Sequence, residues 1–323
     1  MNVLVAGGAG YIGSHTVKEL LAQGHNVTIF DNFSSGKREL ITGGTLVEGD
    51  LLDLDRLRSV FRSASIHAVL HFASLIQVGE SFRDPQKYYT HNLISSLNLL
   101  QAMLEAGVKR FIFSSSAAVY GAPRSTPITE DHPCSPVNPY GWTKYMVETA
   151  LRDYSRAYNL SFIALRYFNA AGADPQGRLG EMHDPETHLI PNICLSLLGR
   201  KSGLELYGSD FPTPDGTAVR DYIHVTDLAL AHTLALDTLA ENSESHFLNL
   251  GANHGYSVLE VIRKFEEITG MKVDFRRKPR RRGDVPELLA SKTRAEHVLG
   301  WAPRQSSLDN IIRTAWRWHS SRT

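Results

Sequence analysis

The chain has 323 residues, with 34 Lys and Arg balanced by 34 Asp and Glu, and 2 cysteines. This balance gives no electrostatic reason to expect nucleic acid or an anionic membrane as partner, and Cys134 and Cys194 imply no disulfide framework and suit a reducing compartment. The length suffices for one large or two interleaved domains. No uncharged apolar run approaches what a bilayer demands, and Met-Asn-Val-Leu-Val-Ala is too short for a secretory apolar core, so a cytoplasmic protein is expected.

Val3-Leu-Val-Ala6 has the pattern of a buried strand, and Ser14 to Ala22 that of a helix. Between them, Gly7-Gly8-Ala9-Gly10-Tyr11-Ile12-Gly13 satisfies Gly-x-Gly-x-x-Gly through Gly8, Gly10 and Gly13, and Gly-x-x-Gly-x-x-Gly through Gly7, Gly10 and Gly13. Glycines there permit a tight turn, close approach of backbone to a pyrophosphate and close helix packing, while the helix start attracts the anion. Asp31 ends the next strand, Asn26 to Phe30. A carboxylate at that point accepts hydrogen bonds from both adenosine ribose hydroxyls and repels a 2′-phosphate, so NAD rather than NADP is expected. Lys37 and Arg38 read as solvated loop charges.

Strand and helix patterns go on alternating: Thr45 to Val47, a helix from Leu54 to Phe61, a strand from Ala68 to Ala73, and a long amphipathic helical segment from Pro85 to Ala106. Asp50 and Leu51 lie at a strand's carboxyl end, where they can flank an adenine; Asp50 equally suits the cap of the next helix. Ala73 and Ser74 are small enough to let a cofactor pass closely. His91, alone on its helix, carries no assignment.

The apolar run Arg110-Phe-Ile-Phe113 leads into Ser114-Ser115-Ser116-Ala117-Ala118, which places hydroxyls at a strand's carboxyl end, facing the cleft. Asn138 suits an N-cap and Pro139 the first helical position, so Tyr140 and Lys144 fall one turn apart on one helix face. A free phenol has a pKa of about 10, and using it as a base near neutrality requires about 4 kcal/mol of phenolate stabilisation. A neighbouring ammonium acts in that direction, an oxidised nicotinamide adds to it, and Ser116 can share the proton with a substrate hydroxyl. The spacing alone arises by accident on many helices; the glycine turn and Asp31 give it chemical meaning.

Ser161 to Phe168 is a further core strand, and from Asn169 a Gly-, Pro- and His-bearing stretch runs to Pro191. The expected division is a nucleotide-binding domain of residues 1–168, to which 219–250 returns, and a second domain within 169–323, mainly 169–218 and 251–323. Arg276 to Arg282 holds 6 basic residues around Pro279.

The glycine turn, Asp31, Ser116, Tyr140 and Lys144 together resemble the extended short-chain dehydrogenase/reductase family. That resemblance implies an α/β fold: a Rossmann-type doubly wound parallel sheet with a smaller, interleaved C-terminal substrate domain. Arg166-Tyr-Phe-Asn169, His183-Asp-Pro-Glu-Thr-His-Leu-Ile-Pro191 and Asp215-Gly-Thr-Ala-Val-Arg-Asp-Tyr-Ile-His-Val225 are similar to those of members that invert C4 of UDP-hexoses.

The resemblance implies Tyr140 as base, Ser116 as its hydrogen-bonding partner, and Lys144 on the nicotinamide ribose, lowering the Tyr140 pKa. It implies NAD contacts for Tyr11, Ile12, Asp31, Asn32, Asp50, Leu51 and Phe72, with Phe168 near the nicotinamide and Ser114 and Asn92 beside the cofactor. His91-Asn92 stands where relatives carry an asparagine pair. For the UDP-hexose it implies Arg220 and Arg281 on the diphosphate, Asp284 on a ribose hydroxyl, Asn169 and Leu189 in the nucleotide pocket, Tyr207 near the uracil, and Leu288 beside the sugar. It implies no metal. Dehydratases in the family carry an Asp-Glu pair directly after the position of Ser116; here Ala117-Ala118 cannot move protons, which leaves oxidation and re-reduction at one carbon.

The expected activity is therefore interconversion of UDP-glucose and UDP-galactose, with NAD tightly held and regenerated each cycle. Activity on UDP-N-acetylhexosamines, UDP-pentoses or UDP-glucuronate, and a non-catalytic NAD sensor, are the alternatives. The helices beginning at Pro85 and Pro139 match those of a four-helix dimer contact, so a homodimer is expected.

Overall fold

A computed structural model of the chain describes residues 1–281 and 283–322, so Arg282 of the basic run lies outside the described residues. Seven parallel strands form the main sheet: β1 (Asn2–Ala6), β2 (Asn26–Asp31), β3 (Thr45–Glu48), β4 (Ala68–His71), β5 (Arg110–Ser116), β6 (Ser161–Tyr167) and, at the edge beyond β6, His246–Leu250. The spatial order runs from His246–Leu250 through β6, β5, β4, β1 and β2 to β3. Every central strand is covered on both faces, which is why β1, β4 and β6 read as nearly unbroken apolar runs. One face packs on the helices Tyr11–Ala22 and Val225–Glu241 through residues such as Val5, Leu20, Ile163 and Leu236. The other packs on Leu54–Ser63, Ser95–Glu105 and Pro139–Tyr158 through Leu4, Leu57, Leu100 and Leu151.

Strand order reverses between β1 and β4, and this opens a crevice at the carboxyl ends of those two strands. The glycine turn leaves β1 there, and Phe72-Ala73 leaves β4. The amides of Phe72 and Ala73 both donate to the Ala6 carbonyl, at 2.8 and 3.1 Å, so the two chains diverge from one shared point.

The strand β9 (Val219–His224) departs from expectation. It does not return to the main sheet but is the centre of a smaller one, pairing in parallel with β7 (Asn169–Ala171), in antiparallel with Gly255–Ser257, and in parallel with Glu287–Leu288. The reason is Asp221. Its buried carboxylate accepts the amides of Ala252 at 2.7 Å, Asn253 at 3.2 Å and Ala290 at 3.1 Å, fastening the strand to segments of the second half. The chain rejoins the main layer only with the helix Val225–Glu241 and the strand His246–Leu250. A separate core, including Ile193, Phe265 and Ile312, unites the helices Leu189–Leu197, Val258–Thr269 and Leu308–Ser320. No helix among the described residues is long and apolar enough to cross a membrane.

The segment from Pro85 to Ala106 is not one regular helix. A short helix Pro85–Tyr88 passes into a π-helical stretch Tyr89–Ile94 before Ser95–Glu105 resumes the α-helix. The wider turn falls on His91 and Asn92, a placement often associated with functional sites.

Candidate active site

The helix Pro139–Tyr158 begins as its sequence dictates. Asn138 accepts the Gly141 amide at 2.8 Å and Pro139 occupies the first turn. This start sets Tyr140 and Lys144 against the end of β5. Lys144 is buried and donates to the Ser114 carbonyl at 2.7 Å, with its ammonium 5.9 Å from the centre of the Tyr140 ring. Ser116 stands near enough to the phenol to favour its charged form, and its Oγ accepts the Ala118 amide at 3.1 Å, which caps the turn Ala117–Val119. Phenol, hydroxyl and ammonium thus converge, as the sequence suggests.

Their electrostatics differ from expectation. Burial pushes the Tyr140 phenol up, opposed only by the Ser116 hydrogen bond. Burial also pulls the Lys144 ammonium down to about 7, against the opposing charge of Glu148. For the protein without cofactor, desolvation is the largest influence on the phenol, and Lys144 is not among those that oppose it.

Behind this face lies a buried network that sequence reasoning missed. Glu148 receives Arg166 through two bonds of 2.8 and 2.6 Å and the Ser115 hydroxyl at 2.6 Å. Arg166 also donates to the Tyr120 hydroxyl at 2.9 Å, which donates to Asn249 at 2.6 Å. These bonds join the helix Pro139–Tyr158 to β5, β6 and the edge strand. The available signal was Glu148, a charge lying on the same helix face as Tyr140 and Lys144.

The cofactor crevice has the donors an anion needs. Gly10 caps the first helix without any side-chain bond, and the Ser14 amide is the first to find an intrahelical acceptor, Gly10 at 2.9 Å. The amides of Tyr11, Ile12 and Gly13 are left at the helix mouth without intrahelical partners, which fits a pyrophosphate. A Cβ on Gly13 would stand 2.2 Å from the Gly7 carbonyl oxygen, and one on Gly7, at φ +80°, 2.4 Å from the Ala73 nitrogen. Asp31 accepts the amides of Ala9 and Phe33, both at 2.9 Å, and burial pushes its carboxyl upward against those bonds. Asn32 donates to Asp50 at 2.9 Å, beside buried Leu51. The helix cap open to Asp50 is instead supplied by Asp53, which accepts the Arg56 amide at 2.9 Å.

Several expected cofactor residues face elsewhere with their side chains. The Tyr11 hydroxyl donates to the Gly172 carbonyl at 2.6 Å, so only its backbone serves the helix mouth. The Phe72 ring lies 4.6 Å from that of His232, in the core. Asn92 is 3% exposed; it accepts the Leu75 amide at 2.8 Å and donates to the Leu75 carbonyl at 3.0 Å and the Thr143 hydroxyl at 3.2 Å. Both its donors are used, so it positions the chain after β4 rather than reaching a ligand. The Ser74 hydroxyl bonds locally to Leu75 at 3.3 Å.

The residues expected to hold the substrate lie on the far side. Register puts Leu288 opposite Arg220, and Asn169 opposite Tyr222. Asn169 donates to the Asp221 carbonyl at 3.0 Å. Arg220 forms no ion pair among the described residues; it donates to the carbonyls of Val219 at 2.9 Å and Pro286 at 3.4 Å, and burial pulls its guanidinium down. Arg281 pairs with Asp284 at 3.1 Å and lies 5.0 Å over the Tyr207 ring. Two guanidinium groups with one carboxylate between them leave an excess of positive charge, which fits a diphosphate. Leu288 and Phe168 pack against the cluster holding Ala117 and Tyr120. Leu189 opens the helix Leu189–Leu197.

Residues 3–251 match the model of the NAD dependent epimerase/dehydratase family. A UDP-glucose 4-epimerase from Rhizobium leguminosarum bv. trifolii is 49% identical over 98% of this chain and 97% of its own length. The crystal structure of UDP-glucose 4-epimerase from Brucella ovis in complex with NAD superposes with a TM-score of 0.95 at 48% identity, covering 98% of this chain and 97% of that one. That of a UDP-glucose-4-epimerase from Stenotrophomonas maltophila with bound NAD and formylated UDP-arabinopyranose gives 0.96 at 42% identity, over 99% and 98%. The chain belongs to the NAD dependent epimerase/dehydratase family, among its UDP-glucose 4-epimerases.

Proposed function

We propose that the protein interconverts UDP-glucose and UDP-galactose by oxidising and re-reducing C4 of the hexose with NAD held throughout. The observation that carries this reading is the buried Tyr140 phenol, with Ser116 beside it and Lys144 one turn behind, next to Ala117-Ala118 rather than a pair of acids. NAD, when held at the helix mouth and Asp31, would supply a hydride acceptor for C4 and a hydride donor for the return. The chain's own residues supply the rest. Tyr140 takes the proton from the 4-hydroxyl and gives one back, Ser116 bridges phenol and sugar oxygen, and Lys144 directs its remaining donors to the nicotinamide ribose. Without a carboxyl at Ala117 or Ala118, no proton is drawn from C5 or C6, so the ketone can only be reduced again.

The grip is divided unevenly. Arg220, Arg281 and Asp284 hold the diphosphate and ribose, and Asn169, Leu189 and Tyr207 the nucleoside, while Leu288 and Phe168 offer the hexose only apolar contact. A firmly bound nucleotide and a loosely bound sugar let the 4-ketose turn over and present its other face. Remote binding energy then supports the chemistry. The helix mouth at Tyr11 to Gly13, Asp31, and Asn32 with Asp50 hold NAD.

A wider substrate range has one supporting observation: Leu288, a side chain of intermediate size, packs with Phe168 against the cluster holding Ala117, directly after Ser116. UDP-N-acetylhexosamines are accepted more weakly under this reading. Exposed Ile94, Trp142 and Met146, on the two helical segments beginning at Pro85 and Pro139, support a homodimer.

Purified protein incubated with UDP-galactose, without added NAD, and analysed by separation of the C4 epimers tests the proposal. Approach to one equilibrium mixture from either hexose is expected, as is release of NAD on heat denaturation. No interconversion in the NAD-loaded protein would overturn it.

A further inference from the structure

Just before the helix Leu189–Leu197, four side chains outside the epimerase site turn toward one another. Glu181, His183, Glu186 and His188 each offer one ligand atom, and all four atoms lie within 4.8 Å of each other. The Nδ1 of His183 is 2.9 Å from Glu181 and 3.9 Å from Glu186; that of His188 is 2.6 and 3.2 Å from the same two carboxylates. Both carboxylates are 5% exposed, while the imidazoles are 20% and 43% exposed, which leaves an approach from solvent on the histidine side.

Among the described residues, no lysine or arginine pairs with Glu181 or Glu186, so the two carboxylates are left to the two imidazoles. A divalent cation entering between the four groups would take the place of the protons these imidazoles share with the carboxylates. Two imidazole nitrogens and two carboxylate oxygens form a donor set for zinc and its neighbours in the transition series, whereas calcium and magnesium favour oxygen alone. Bonds of about 2.0–2.2 Å in a tetrahedron place ligand atoms roughly 3.3–3.6 Å apart; the histidine–carboxylate separations here run from 2.6 to 3.9 Å, the shorter being direct hydrogen bonds that an ion would open.

The groups are also held from behind. Glu186 accepts the amides of Thr187 at 2.7 Å and His188 at 2.8 Å, and the Glu181 carbonyl accepts the Trp318 indole at 3.1 Å. The His183 ring stands edge-on to Tyr11, 6.2 Å between centres, at the first residue of the cofactor helix. The cluster thus joins the start of the NAD-binding half to the start of a nucleotide-pocket helix.

We propose that Glu181, His183, Glu186 and His188 form a site for one divalent transition-metal ion, zinc being the best match, which ties these two halves together and takes no part in the chemistry at C4. The full-length, NAD-loaded protein, stripped with a chelator and desalted, is titrated with zinc chloride by calorimetry and with cobalt(II) chloride by visible absorption. One ion per chain is expected, with the strong absorption bands of four-coordinate cobalt(II). Saturating zinc should raise Tm by roughly 5 °C. The double variant His183→Ala/His188→Ala should lose at least 100-fold in affinity, and Glu181→Gln at least tenfold. Absence of stoichiometric uptake by the wild-type protein overturns the proposal without recourse to any variant. Equal uptake by a folded double variant overturns it as well, since the ion would then sit elsewhere.

Discussion

Lys144 reaches from the catalytic helix to the Ser114 carbonyl, and this 2.7 Å bond couples the element that carries the phenol to the strand that carries its hydroxyl partner. The ammonium is buried, and its pKa falls to about 7. Because the folded pKa lies below the unfolded value of about 10.4, the unfolded chain binds more protons between the two. Stability of the cofactor-free protein therefore rises with pH from 7 toward 10. From pH 7 to pH 9 this one group contributes up to about 2.7 kcal/mol. Lys144→Met should flatten that part of the profile in denaturant titrations and remove turnover; an unchanged slope would show that burial does not lower the Lys144 pKa in the folded chain.

Replacing Tyr140 with Phe removes the proton acceptor while leaving the ring packing in place. Turnover is expected to fall by about 10²–10⁴, with NAD content and UDP affinity within twofold of wild type. Epimer separation and NAD release on heating measure both.

The difference in near-ultraviolet absorbance between wild type and Tyr140→Phe should report the titration of this phenol. In protein stripped of NAD the Tyr140 step is expected above pH 10, as burial dictates. In NAD-loaded protein it should move downward, because a cation near the phenol favours its charged form. Identical titrations in the two states would remove the cofactor's charge from the account.

Among the described residues Arg220 has no carboxylate partner, and Arg281 pairs with Asp284 at 3.1 Å. Arg220→Met and Arg281→Met should each weaken UDP binding by about 10–100-fold, at 1.5–3 kcal/mol for a hydrogen bond to a charged group. The rise should appear in KM and in calorimetric UDP affinity, since the bonds to the diphosphate are present before and after inversion. Stability should hold in both variants.

Gly13→Ala tests the cradle. Its methyl would lie 2.2 Å from the Gly7 oxygen, a backbone atom that cannot step aside. Loss of bound NAD is expected, with Tm lowered by several degrees. Normal NAD content would mean that the helix mouth does not hold the pyrophosphate.

The sequence by itself determined what depends on near neighbours. The strand, glycine turn and helix at the amino terminus, Asp31 at the end of β2, the Asn138-Pro139 helix start and the one-turn spacing of Tyr140 and Lys144 all follow from local periodicity, capping and turn geometry. Family resemblance then brought Arg220, Arg281, Asp284 and Leu288 into one pocket, which the sequence spacing alone could not do.

Only the tertiary structure decided where shared groups are spent. Asn92 turns to Leu75 and Thr143 because a π-helical turn rotates it inward, and Tyr11 gives its hydroxyl to Gly172 across 161 positions of sequence. Asp221 draws β9 into the second sheet by accepting amides that follow it by 31, 32 and 69 positions. The sign of the Tyr140 shift was hidden for the same reason: spacing reveals that an ammonium lies one turn away, but desolvation depends on everything packed around it. Burial is a property of the whole fold, and no short stretch of chain contains it.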